Sequence, residues 1–205
     1  MKRFKKPIVH IASLTPLMLL ILDWQNDALT ANPIQYLTLK TGKTALILLS
    51  ITLSITPIVY LTGKKFIRQF KKTLGLYAAL YAFLHFSVFV MLDYYFDWEL
   101  IKDAIVEKPY VLVGFSAFVI LAIMATTSTR GWKLRLKRNW KRLHRSVYLA
   151  GILVILHYTW LVKADIREPL IYGAFMAIFL PIRLPFIRDR IIEIRESKTS
   201  AQVIS

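Results

Sequence analysis

The 205-residue chain contains no cysteine. That excludes disulfides, thiolate nucleophiles, cysteine-ligated zinc and iron–sulfur clusters, so any redox chemistry falls to a bound cofactor. There is no glycine-rich phosphate loop of the G-x-G-x-x-G or Walker type, and no polar run long enough to fold a nucleotide-binding domain. Acidic residues are scarce, 12 Asp and Glu against 28 Lys and Arg. No internal repeat of fixed period is visible, which argues against a transporter assembled from inverted halves.

What the chain has in abundance is apolar sequence: 56% of its residues are hydrophobic and its mean hydropathy is +0.50. A bilayer-spanning helix needs roughly 17–25 apolar residues. Six runs approach this length, at about Pro7–Leu22, Gly42–Leu61, Thr73–Leu92, Tyr110–Thr127, Val147–Val162 and Pro169–Ile187. The expected fold is an all-α membrane protein, a six-transmembrane-helix bundle forming one domain over residues 1–205. The shorter runs match the hydrocarbon by tilting or by using polar flanks.

Lys and Arg are retained on the cytoplasmic side of a membrane, and acids matter little to sorting. The bases alternate accordingly. Lys2, Arg3, Lys5 and Lys6 precede the first run, and Lys64, Lys65, Arg68, Lys71 and Lys72 follow the second. Arg130, Lys133, Arg135, Lys137, Arg138, Lys141, Arg142 and Arg145 follow the fourth, and Arg183, Arg188, Arg190, Arg195 and Lys198 close the chain. Together these place 22 of the 28 bases on one side, while the opposite loops carry nine of the twelve acids. Both termini are therefore expected to be cytoplasmic. The net charge of +16 reflects topology rather than nucleic-acid binding, and anionic membrane lipid is the expected surface partner. MKRFKK before an apolar run also suits a signal peptide, but the run exceeds a usual signal core and keeping it gives an even helix count.

The chemistry-bearing residues are four histidines, His10, His85, His144 and His157, each in or at the edge of a span. Ionisable groups there are costly and functional by default, although one buried histidine can simply bond a carbonyl. Depth narrows the choice. His85 lies thirteen residues past Lys72 and His157 twelve past Arg145. At a rise of ~1.5 Å per residue both sit roughly 18–20 Å into the membrane. Two neutral imidazoles at one level on two helices can hold one haem iron from both faces, an arrangement suited to electron transfer because no substrate position remains on the metal. Tyr81, Ala82 and Ala78 before His85, and Ala150 before His157, are expected to leave room beside the ligands for a flat macrocycle. The aromatics Phe83, Phe86, Phe89, Tyr158 and Trp160 read mainly as lipid contacts and interfacial belt.

His144 and His10 lie near the basic ends of their spans and are candidate ligands of a second, inner haem. His144 and His157 are thirteen residues apart, which on an ideal helix leaves them about 140° apart, unless the segment is distorted near Gly151. A three-histidine zinc or copper site needs convergence at one depth, and His144 does not supply it.

At this point the residues resemble a known family. TGKTAL (Thr41–Leu46), ITP (Ile55–Pro57), LGLYA (Leu74–Ala78), FLH (Phe83–His85), KPY (Lys108–Tyr110), TSTR (Thr127–Arg130), WKRLH (Trp140–His144), VYL (Val147–Leu149), LHYTW (Leu156–Trp160) and PLIY (Pro169–Tyr172) occur in an order and spacing similar to the MsrQ (YedZ) subunits of the ferric-reductase-like transmembrane group. The resemblance implies six helices holding haem b, one or two per chain, and FMN as a further candidate cofactor. It implies electrons taken from a cytoplasmic flavin reductase and passed to MsrP, a periplasmic molybdopterin subunit that reduces methionine sulfoxide in oxidised proteins. The family's three characteristic histidines fall on His85, His144 and His157. Lys43 and Lys108 stand where the family pattern has arginine, which bears on any bidentate anion contact there.

Two loops read as docking surfaces. Trp132–Arg145 alternates bases with Trp132, Leu136, Trp140 and Leu143, as an amphipathic helix in the inner interface does, and its charge would steer an acidic or flavin-carrying donor. The loop from Asp93 to Glu107, with Asp97, Glu99, Asp103, Tyr94, Tyr95, Phe96 and Trp98, is the expected landing place of the outer partner. The alternative from another class is a small transporter or channel with His85 and His157 as proton relays. A membrane enzyme with its own metal site ranks last, because no carboxylate lies within the spans near either histidine.

Overall fold

The computed structural model describes residues 5–162 and 165–204, with side chains for 7–162 and 165–197. Lys2 and Arg3 lie outside the described residues, as do the side chains of Lys5, Lys6 and Lys198. The order is α1 (Lys5–Gln25), α2 (Pro33–Thr62), α3 (Lys71–Ser87), α4 (Trp98–Glu107), α5 (Pro109–Thr126), α6 (Arg130–Leu143), α7 (Val147–Leu161), α8 (Arg167–Phe179) and α9 (Pro185–Ile204).

The chain is an all-helical membrane protein. Four helical stretches are long and apolar enough to cross a bilayer, Pro7–Gln25, Pro33–Thr62, Lys65–Asp93 and Pro109–Thr126. A fifth is obtained if Arg167–Arg183 and Pro185–Ser197, bent by 80°, count as one. The bend follows from Pro181 and Pro185, which cannot donate into a helical ladder. α7 has only 15 residues, about 22 Å at the usual rise.

Helix ends follow local chemistry. α2 starts well before the apolar run at Gly42 because Asn32 caps it, its side chain accepting from the Gln35 N–H, with Pro33 in the first turn. It stops at Gly63, whose φ of 72° turns the chain left-handed while its N–H bonds the Val59 carbonyl. The loop after α3 contains an unexpected helix, α4, capped by Asp97 through the Glu99 and Leu100 N–H groups.

The continuous helix expected over Trp132–Arg145 is interrupted. Lys137 has φ 46° and ψ −118°, α6 ends at Leu143, and a 3₁₀ turn over His144–Ser146 leads into α7. The distortion between His144 and His157 lies there, since α7 continues through Gly151.

The core lies between α2, α3, α5 and α7, where Leu46, Leu49, Leu53, Ala78, Leu121, Val147 and Ala150 are buried. Large apolar side chains such as Ile8, Leu19 and Leu149 are exposed, as lipid-facing positions are.

Tyr81 does not line an open slot. It is completely buried, donates to the Ser13 carbonyl at 2.8 Å and accepts from the Leu17 N–H at 3.0 Å. Ser13 and Leu17 would otherwise bond each other within α1. Next to Pro16 the ladder opens and the hydroxyl of α3 takes both partners. Ala78 and Ala150 are likewise completely buried in the core.

Candidate functional site

α3 packs on α2 and α5, and α7 packs on α5 and α8, whereas α3 and α7 make little backbone contact with each other. Their histidines meet across that division. The rings of His85 and His157 are 6.2 Å apart, centre to centre, and nearly perpendicular at 83°.

Each ring is held in the same way. His85 Nδ1 donates to the Thr38 carbonyl of α2 at 2.9 Å, and His157 Nδ1 to the Tyr110 carbonyl of α5 at 2.7 Å. A carbonyl can only accept, so the proton of each neutral ring sits on Nδ1 and the lone pair on Nε2. That is how a metal-ligating histidine is oriented by its outer partner.

A glycine faces each ring from the same neighbouring helix. A Cβ on Gly42 would come within 2.9 Å of His85 Nδ1, and one on Gly114 within 2.6 Å of His157 Nδ1. Any other residue would push the imidazole out of place.

The two half-sites repeat at an offset of 72 residues. Thr38, Gly42, Ala78, Leu84 and His85 correspond to Tyr110, Gly114, Ala150, Leu156 and His157. The repeat absent from a reading of the sequence is thus present in the structure. Four of these five pairs keep the same side chain, and Thr38 and Tyr110 differ because only their carbonyls are used. Thr38, Gly42, Tyr110 and Gly114 were missed as site residues, and the equal 43-residue spacing from each glycine to its histidine was the available signal.

The geometry suits two ligands on opposite sides of one metal ion. An imidazole nitrogen binds a transition metal at about 2.0–2.1 Å, which sets two rings ligating one ion from opposite sides roughly 6 Å apart. The observed spacing matches, and Nε2 is the available nitrogen on both rings. Phe86 stacks on Phe118 at 4.7 Å and contacts Phe115 at 5.6 Å, so it packs between α3 and α5 rather than only against lipid.

The other two histidines lie elsewhere. His144 stacks on Trp140 at 3.9 Å, donates from Nδ1 to the Trp140 carbonyl at 3.1 Å, and buries an Nε2 that makes no hydrogen bond. His10 is exposed, with Nδ1 hydrogen-bonded to the Tyr77 hydroxyl at 2.9 Å, tying α1 to α3. Among the described residues no group of three or more His, Asp or Glu side chains can hold a metal ion, which leaves a three-histidine zinc or copper centre without a location.

The two lysines that replace arginine are engaged. Lys43 pairs with Glu168, which also accepts from the Tyr158 hydroxyl at 2.8 Å, joining α2, α7 and α8 beside His157. Lys108 donates to the Tyr94 hydroxyl at 3.3 Å, and that bond raises its pKa above the ordinary lysine value.

Residues 41–155 match the family described as ferric reductase like transmembrane component. The chain is 45% identical over 187 residues to the protein-methionine-sulfoxide reductase heme-binding subunit MsrQ of Xanthomonas axonopodis pv. citri (strain 306), covering 87% of this chain and 85% of that relative. It is 46% identical over 187 residues to the protein of the same name from Xanthomonas campestris pv. campestris (strain 8004), with the same coverage. To that of Herminiimonas arsenicoxydans it is 42% identical over 183 residues, 87% of this chain and 84% of the relative.

Proposed function

The chain belongs to the ferric reductase like transmembrane family and, within it, to the MsrQ haem-binding subunits of protein-methionine-sulfoxide reductase; from that premise we propose how it carries electrons. It is a multi-pass membrane protein, and His85 and His157 are the residues that would hold haem b. When bound, the haem iron accepts and releases one electron at a time by alternating between its ferric and ferrous states.

The protein's own part is placement. The Thr38 and Tyr110 carbonyls fix both tautomers, Gly42 and Gly114 let the rings sit tight against α2 and α5, and two histidines holding one iron would leave no position on it for a substrate. The observation that carries this reading is the matched pair of carbonyl-held imidazoles at 6.2 Å.

His144 is the ligand of a second, inner haem, supported by its buried Nε2 without a partner. His10 belongs to the same inner group only if it exchanges Tyr77 for the metal. The chain crosses a bacterial inner membrane six times, with α7 and the bent α8–α9 pair as the last two spans and both termini cytoplasmic, consistent with the bases gathered at one end. Electrons enter there from a cytoplasmic flavin reductase docked on α6, with FMN as a candidate further cofactor, and leave at the other side to MsrP, the periplasmic molybdopterin subunit that reduces methionine sulfoxide.

The test is a reduced-minus-oxidised visible spectrum of the purified protein and of His85→Ala and His157→Ala. Sharp low-spin b-type bands, lost in both variants, are expected. A colourless wild type expressed with haem available would overturn the assignment.

A further inference from the structure

At the basic end of the bundle, three donors from different elements gather, none of them paired with an acid among the described residues. Arg183, in the 3₁₀ turn Pro181–Arg183 after α8, donates from Nη2 to the Leu53 carbonyl and from Nη1 to the Tyr148 hydroxyl at 2.7 Å. Its guanidinium lies 5.1 Å from the Tyr148 ring centre. Its Nε is buried and has no partner.

The ammonium of Lys71, at the start of α3, donates to the Thr56 hydroxyl at 3.4 Å and to no other group among the described residues. Leu53 and Thr56 are three residues apart, on one face of α2, so both cations converge on the same patch. Tyr148 lies one turn beyond His144, whose Nε2 is the other buried nitrogen without a partner at this end.

Among the described residues no carboxylate pairs with Lys71 or Arg183. The acids of α9 are paired within their own helix: Asp189 with Arg188, Glu193 with Arg190 and Glu196 with Arg195. A half-buried guanidinium and ammonium converging on one patch of α2 repel each other and are partly desolvated, a cost that a compensating anion offsets. A guanidinium with a spare N–H and an ammonium together match an oxyanion, which accepts several charge-assisted hydrogen bonds at once.

We propose that Arg183, Lys71 and the Tyr148 hydroxyl form an internal oxyanion site that takes one carboxylate or phosphate group at the basic end of the bundle, beside His144. Two sources supply that chemistry: a propionate of haem held at this end, which rests on the haem assignment above, and the phosphate of a lipid headgroup or nucleotide cofactor, which does not.

The experiment uses the full chain purified in a phosphate-free neutral detergent, delipidated, and compared with Arg183→Gln, Lys71→Gln, Arg183→Lys and the control Arg188→Gln. Bound phosphorus and native mass are measured on each, and the haem midpoint potential and redox-linked carboxylate infrared bands on the coloured forms. Phosphorus retained by wild type and the Arg188 control, and reduced about tenfold or more in the two glutamine variants, with partial recovery in Arg183→Lys, assigns a phosphate. Absent phosphorus, a shifted potential and an altered carboxylate band in the same two variants assigns a propionate. Variants that keep the His85–His157 spectrum yet change neither phosphorus nor potential nor infrared bands overturn the site. Should wild type prove colourless, the phosphorus and mass measurements still decide: retained phosphorus supports the site, and none overturns it.

Discussion

Gly114 and His157 sit so close that a single added carbon on the glycine would stand 2.6 Å from the imidazole Nδ1. Gly42 bears the same relation to His85 at 2.9 Å. Neither glycine is needed for a turn; each is required for approach.

Gly114→Ala should therefore displace the His157 ring, break its bond to Tyr110 and weaken haem retention by about 10–100-fold, the usual cost of losing an outer partner of a metal ligand. Gly42→Ala should act in the same direction and less, because its contact is longer. Haem occupancy per chain during detergent dialysis, with the spectrum of what remains, measures both.

Tyr81→Phe removes the hydroxyl that bridges Ser13 and Leu17 of α1. A buried carbonyl and N–H lose their partner, so a destabilisation of about 1–3 kcal/mol is expected. α1 should loosen first, read as faster proteolysis or hydrogen exchange around Pro16 with the haem bands retained.

Lys137 holds a backbone conformation, φ 46° and ψ −118°, that costs a side-chain-bearing residue of order 1–3 kcal/mol. Lys137→Gly should raise the thermal midpoint of the purified protein, because glycine adopts it without a Cβ clash. Lys137→Pro should lower it, since proline cannot reach a positive φ.

On the opposite side, Asp97 is an N-cap and Glu99 pairs with Lys102 at 2.7 Å, so reversing either charge also disturbs α4. Asp103 is exposed and makes a cleaner probe of partner docking. Asp103→Lys should slow electron delivery to the outer partner several-fold at low salt, an effect that fades as salt screens it, with the helix content unchanged. An unchanged rate at low salt would remove α4 from the docking surface.

Much of this was legible in the chain. The apolar runs and the common depth of His85 and His157 required only hydropathy and a rise per residue. They identified an all-helical membrane protein and the two imidazoles that meet. The broken α6 was hidden because amphipathic spacing persists across Lys137 even where the backbone does not. Tyr81 was misread for a related reason: its spacing from His85 puts it on the ligand side, but nothing in α3 tells that Pro16, in another helix, opens a ladder for its hydroxyl.

Composition and periodicity by themselves determined the solvent this protein folds in and the side chains costly enough to matter there, because burial of apolar surface and the expense of an ionisable group in lipid act residue by residue. Only the tertiary structure decided how those side chains are used. The carbonyls of Thr38 and Tyr110, the missing Cβ atoms of Gly42 and Gly114, and the reach of Arg183 and Lys71 to Leu53 and Thr56 of α2 are relations between elements distant in sequence. Packing creates them, and no local pattern encodes the distance.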